Sequence, residues 1–420
     1  MKDDLPGANA QIRLRKSITS CRSIILATTA VLAGLLTLVN VPNAEAQDAT
    51  GANGQLARSP EQQRVPSLAA QGYFFVAGKY LNAADGQIMA DQMYVEYQIP
   101  HDLDHPYPIV MIHGGGQTGT NFEGTPDGRS GWRDFFLSRG YAVYIIDQPG
   151  RARSAYHPDV YGSTNRSTVL TIEQRFTAPE LFNLWPQAQF HTQWPGQGPG
   201  KGQAGDPIFD QFYASQVESI ANGPETELLN KNAGGALLDE IGPAIILTHS
   251  QSGPFGWQIG DARPSLVKGI VAVEPSGPPF FDVNLLGAPT YFSDGSESRP
   301  WGITATQIAY SPPVSDSSQL TFVQQTVPDS PDLVRCRMQT EPAHQLSTLQ
   351  GIPILMITSQ ASYHASYDHC TSKYLTQAGV KHTYVRLPDA GIYGNGHMMM
   401  IEKDNLVIAG LVAKWTDRLR

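Results

Sequence analysis

A serine at residue 250 stands between an apolar run and a helix-like segment, in Leu247-Thr248-His249-Ser250-Gln251-Ser252-Gly253. Pro243 to Thr248 reads as a buried strand, and Gly253 to about Ala262 reads as a helix. A tight turn between two such elements thrusts its central side chain out of strained backbone, with the hydroxyl exposed above the sheet. Such a hydroxyl becomes a nucleophile once a nearby base takes its proton. The residues two before and two after it must be small. Ser252 qualifies, whereas the β-branched Thr248 fits less comfortably. Were Ser252 the nucleophile instead, Pro254 would occupy the second small position. With Ser250, Pro254 falls in the first helical turn, where proline is tolerated. Ser250 is therefore the candidate nucleophile and Ser252 the alternative.

Attack on a carbonyl creates an oxyanion, which needs preorganised N–H donors. His113-Gly114-Gly115-Gly116 follows the short apolar strand at Pro108 to Ile112, and glycines let backbone amides turn inward. Gly115, with Gly114 or Gly116 beside it, and the amide of Gln251 are the expected oxyanion donors. The expected base is His397, in the glycine-rich loop Gly394-Asn395-Gly396-His397. Such a loop lets an imidazole reach the serine and shuttle its proton. His344, His364, His369 and His382 compete for this role, but none has a glycine loop after a strand. The expected acid is Glu274, at the exit of the apolar run Ile270 to Val273. A carboxylate there is costly unless paired. Asp368 and Asp389 are reserves, with helix capping the plainer role for Asp368.

These residues need a scaffold, and the pattern supplies one. Residues 72–78 and 92–98 read as an antiparallel hairpin around Ala83-Ala84-Asp85-Gly86. Strands and helices then alternate: a helix at residues 132–139, strands at 141–146 and 243–248, and helices at 225–239 and 253–262. Strands at residues 269–273, 353–358 and 382–387, a helix at 368–378 and a closing helix at 398–420 complete the series. Near-continuous apolar strands between helices predict an α/β domain over residues 72–420, its mainly parallel sheet covered on both faces. Two insertions, at about residues 151–222 and 275–350, interrupt the rhythm after strand ends and are expected to form cap or pocket walls. Their aromatics, Trp185, Trp194, Tyr291 and Trp301, are candidate pocket linings.

Residues 1–46 predict a signal peptide. Arg13, Arg15, Lys16 and Arg22 precede an apolar run from Ile24 to Val41, and Ala44-Glu45-Ala46 is a cleavage-site pattern. The alternative is an uncleaved anchor, since about 18 apolar residues just span a bilayer. Residues 47–71 read as a flexible leader. Removing residues 1–46 takes five basic and three acidic residues, moving the formal charge from −9 to −11. So acidic a chain repels phosphate backbones, which argues against nucleic acid. The expected protein is secreted or periplasmic, without stable membrane insertion; whether it forms a homodimer stays open. Of three cysteines, Cys21 leaves with the signal, so Cys336 and Cys370 are expected to pair in an oxidising compartment, two free thiols being the alternative. Neither has the neighbours of a metal site.

From about Tyr73 to the C-terminus the chain resembles the α/β-hydrolase family, through His113-Gly114-Gly115-Gly116, the turn at Ser250 and Gly396-His397. More closely, it is similar to secreted bacterial serine carboxylesterases with a glutamate as the triad acid. The shared features are the glycine-rich loop, Glu274-Pro275-Ser276-Gly277-Pro278-Pro279 and Gly394 to His397. The resemblance implies cofactor-free hydrolysis of a small-molecule ester by Ser250, His397 and Glu274 through an acyl-enzyme. Lactonase, amidase, thioesterase and polymer-ester hydrolase activities remain alternatives on the same residues, and a non-catalytic binding protein is a further one. Haloalkane dehalogenation would need a carboxylate where Ser250 stands.

Overall fold

A computed structural model of the chain describes residues 67–419. The expected signal peptide, and the leader as far as residue 66, lie outside the described residues. An eight-stranded sheet forms the centre, in the order β1-β2-β4-β3-β5-β6-β7-β8. Its strands are β1 (Leu68–Ala83), β2 (Gly86–Pro100), β3 (Ile109–Ile112) and β4 (Val143–Asp147), then β5 (Ala244–His249), β6 (Val267–Val273), β7 (Ile354–Thr358) and β8 (Thr383–Arg386). The six strands from β4 to β8 run parallel, and the β1–β2 hairpin adds antiparallel to β4.

Alternation along the strands divides the core. Val110, Ile112, Ile246, Ile270 and Met356 face one side, against α2 (Gly223–Ile241) and α3 (Gly253–Ala262). Ile109, Met111, Leu247, Val271 and Ile357 face the other, against α1 (Trp132–Ser138) and α5 (Asn405–Thr416). A period of two with both faces apolar is what a sandwiched parallel strand requires.

Two elements depart from the sequence-based expectation. The hairpin is longer at both ends, because polar residues such as Lys79 and Gln87 keep ladder pairing that hydropathy does not report. Its first strand starts at Leu68, inside the expected leader, where Leu68 pairs with Pro100 and packs into the core. The closing helix starts at Asn405, not Met398. Met398, Met399 and Met400 are wholly buried in turns, and Glu402 folds back onto the Gly396 amide at 3.0 Å. A side chain committed to that loop delays the helix.

The insertions frame one end of the sheet. Residues 151–222 hold short helical turns, including a π-helical turn at Glu173–Thr177. Residues 275–350 hold two ribbons, Phe280–Leu285 with Phe292–Arg299 and Phe322–Gln324 with Arg337–Gln339. Cys336 and Cys370 are disulfide-bonded, tying the second insertion to α4 (Asp368–Gln377). No helix among the described residues is long and apolar enough to cross a membrane.

Candidate active site

The turn between β5 and α3 holds Ser250 at φ = +56°, left-handed backbone that a non-glycine residue rarely adopts. Ser252 is fully engaged below it: its hydroxyl accepts the His249 amide (2.8 Å) and donates to the Ile112 carbonyl (2.7 Å). That bonding ties β5 to β3 and leaves Ser252 a structural part. Thr248 is buried, and a Cβ at Gly256 would lie 3.0 Å from its methyl carbon. A glycine one turn into α3 thus makes the room that Thr248 needs. Gly253 passes so near Pro275 that a Cβ would come within 2.4 Å of it.

The glycine loop after β3 lies against this turn. A Cβ at Gly114 would stand 3.2 Å from that of Ser250, and one at Gly115 3.6 Å from the Gln251 side chain. Among the described residues the Gly115 amide donates to no protein acceptor, whereas the Gly116 amide is taken by the Ser219 hydroxyl (3.0 Å). Buried Arg151 braces the pair, donating to the Gly114 carbonyl (2.9 Å) and to Gln251 Oε1 (3.2 Å). Burial lowers its pKa to about 10, so it remains charged at neutral pH. Sequence reasoning missed Arg151, although an arginine soon after a strand exit was the available signal.

Glu274 leaves β6 at φ = +45°, wholly buried. Its Oε1 accepts the Ser359 amide (2.8 Å) and hydroxyl (2.6 Å). Its Oε2 accepts the Ser362 hydroxyl (2.7 Å) and His397 Nδ1–H (2.6 Å). The bond to Nδ1 leaves the lone pair on Nε2, which faces the Tyr363 hydroxyl at 3.3 Å. Among the described residues no hydrogen bond joins the Ser250 hydroxyl to His397, whose Nε2 is taken up by the phenol. Burial raises the Tyr363 pKa, and nearby Ser250 opposes that rise. Burial, then the charges of His364 and Arg175, hold the His397 pKa well below its ordinary value. The imidazole is therefore neutral at pH 7 and able to accept a proton.

The His397 loop is held from behind. Glu402 accepts the Gly396 amide (3.0 Å), the Asn395 side-chain amide (2.9 Å) and His191 Nε2–H (2.9 Å). His191 also reaches Glu180 (2.7 Å), so the first insertion is latched onto the loop. A Cβ at Gly394, where φ is +80°, would collide with the Thr192 hydroxyl oxygen at 2.0 Å.

The reserve acids lie elsewhere. Asp368 caps no helix; it bonds Thr358 Oγ1 (2.6 Å) and His364 Nδ1 (2.9 Å). Asp389 pairs with Arg386 on the surface. His344 bonds the Pro312 carbonyl, His369 lies beside the disulfide and His382 bonds Ser372. The pocket aromatics are corrected. Trp185 and Trp194 are fully buried and bond Ala361 and Asp206, Trp301 packs on the core, and Tyr291 borders a different cavity. Large apolar rings gain most by burial, so they serve as scaffold. The rings that do lie against His397 include Tyr363, at 4.8 Å, and Phe176, at 5.1 Å.

The model of the alpha/beta hydrolase family matches residues 109–409, and the chain belongs to that family. It is 47% identical over 347 residues to a protein described as probable secreted lipase phiG, from Fungal sp. (strain ATCC 74256), covering 82% of this chain and 89% of that one. A solved structure described as a novel bacterial esterase is similar at 25% identity and a TM-score of 0.54, covering 86% of this chain and 99% of that one.

Proposed function

We propose that this chain is a secreted carboxylic ester hydrolase working by acyl transfer through Ser250, His397 and Glu274. The observation that carries the reading is the buried 2.6 Å bond from His397 Nδ1 to Glu274, on a loop beside the strained Ser250 turn. Secretion is supported by the leader sequence and by the relative described as a secreted lipase. His397 Nε2 takes the Ser250 proton as Oγ adds to the ester carbonyl. The amides of Gly115 and Gln251 receive the oxyanion, held in place by Arg151. Collapse expels the alcohol, which carries away the proton from His397. Water then attacks the acyl-enzyme by the same steps and releases the acid. Glu274 fixes the imidazole tautomer and stabilises its charged form throughout.

Hydrolysis of a p-nitrophenyl ester series by the mature protein tests this, beside Ser250→Ala and Ser252→Ala. Loss of about 10⁶-fold in kcat is expected for Ser250→Ala. Ser252→Ala is expected to lower stability while retaining turnover. Loss with Ser252→Ala alone would overturn the assignment.

A further inference from the structure

A cavity of about 310 Å³ opens beside the candidate site, bordered by Arg175, Ser276, Arg299, Tyr363 and His364. Its wall residues touch the candidate site, although Ser250 and His397 do not themselves line it. The Ser276 amide donates to the Ser250 carbonyl (2.9 Å), the Tyr363 hydroxyl meets His397, and the His364 ring stacks on His397 at 4.8 Å.

The charges on its wall do not balance. Arg299 is satisfied, donating to Asp282 (2.7 Å) and to the Pro278 carbonyl (2.8 Å). Arg175 has no carboxylate partner among the described residues; its guanidinium lies over the Tyr363 ring at 5.7 Å. His364 already has Asp368. One guanidinium, itself exposed to solvent, therefore borders the cavity without a carboxylate partner, in a chain of formal charge −9. Its backbone is firmly held. Arg175 sits in the π-helical turn Glu173–Thr177, anchored by the Ala204 amide on Glu173 (2.9 Å) and by Thr177 Oγ1 on the Gly202 carbonyl (2.5 Å). The next residue, Phe176, lies on His397. Single π-helical turns cost regular hydrogen bonding and concentrate at functional sites.

We infer that Arg175 is a specificity residue that binds a carboxylate on the substrate, so that the preferred esters are half-esters of short dicarboxylic acids. The inference rests on the ester hydrolase reading and names the substrate class for that site. A planar guanidinium fork matches a carboxylate in two parallel hydrogen bonds. Tyr363 spans the gap, with the Arg175 guanidinium 5.7 Å from its ring centre and His397 Nε2 3.3 Å from its hydroxyl, so a chain no longer than a tyrosine side chain would join the carboxylate to the reacting centre.

The test compares monomethyl glutarate with dimethyl glutarate, followed by proton release, in the wild type, Arg175→Lys and Arg175→Met. The wild type is expected to favour the half-ester in kcat/KM by ten- to a hundredfold, mainly through KM, with the preference shrinking at high salt. Arg175→Lys should keep part of it and Arg175→Met none. Labelling of Ser250 by a fluorophosphonate separates the two readings. No labelling overturns the hydrolase reading and this one with it. Labelling with neither ester hydrolysed, with equal rates, or with a preference that survives Arg175→Met overturns the Arg175 assignment alone.

Discussion

Two histidine–carboxylate pairs lie face to face at the end of the sheet, and the proposed mechanism uses only one of them for proton transfer. His397 bonds Glu274 at 2.6 Å, and His364 bonds Asp368 at 2.9 Å. The imidazoles are 4.8 Å apart and 8° from parallel, and both carboxylates are buried. What separates the pairs is their surroundings. Glu274 also accepts three donors from Ser359 and Ser362, whereas Asp368 also accepts one, from Thr358, and burial raises the Asp368 pKa. The free nitrogen of His397, on the loop beside the Ser250 turn, faces the Tyr363 hydroxyl at 3.3 Å. His364 lies in a helical turn, Tyr363–Ser366, and borders the cavity. A short bond between imidazole and carboxylate is thus by itself no mark of a base, since both pairs have one.

The largest expected effect breaks the comparison directly. Glu274→Gln should lower kcat about 10⁴-fold with the fold intact, because the wrong tautomer is favoured. Asp368→Asn should lower kcat less than about tenfold, since its imidazole touches no reacting atom in the proposed mechanism. Steady-state kinetics on p-nitrophenyl acetate, with circular dichroism on each variant, would decide. Equal losses would mean that the two pairs work as one unit.

A third imidazole, His191, sharpens the contrast through stability. Burial alone would lower its pKa, but the bonds to Glu180 and Glu402 outweigh burial and raise it to about 9. A raised folded pKa contributes stability fully below the unfolded value of about 6.5 and loses it as pH rises through about 9. Stability is therefore expected to fall over that window, by on the order of 3 kcal/mol. The charged groups facing His191 are Glu180 and Glu402. Thermal unfolding from pH 6 to 10, beside His191→Gln, measures it. A slope unchanged in the variant would show that the latch carries no proton.

Much of this arrangement is legible in the sequence because it is local. The turn at Ser250, the glycine loop and the exit of Glu274 each follow a strand, and strand ends are marked by the halt of an apolar run. Thr248 looked ill-suited because its compensation, Gly256, lies on α3, across a packing contact that a turn motif does not encode. The His364–Asp368 pair was visible as a spacing of four, yet each residue was weighed alone. Arg175 and Phe176 were not legible. They reach His397 from an insertion whose path depends on tertiary anchors at Gly202 and Ala204. For the same reason the large aromatics of the insertions drew attention and proved to be scaffold.

The smallest expected effect tests whether the two stacked pairs communicate. His397 is faced by Glu274, the Tyr363 hydroxyl, the rings of His249, His364 and Phe176, and Arg175. Burial lowers its pKa most, and the charges of His364 and Arg175 lower it further. Removing a positive neighbour favours the protonated imidazole, so its pKa must rise. His364→Asn should therefore move the acidic limb of the kcat/KM profile to higher pH, and Arg175→Met should move it the same way. A shift under about one unit fits a screened charge near the surface of a cavity. A limb that stays in place in both variants would mean that burial alone sets the base. The second pair would then serve only to fill the space behind it.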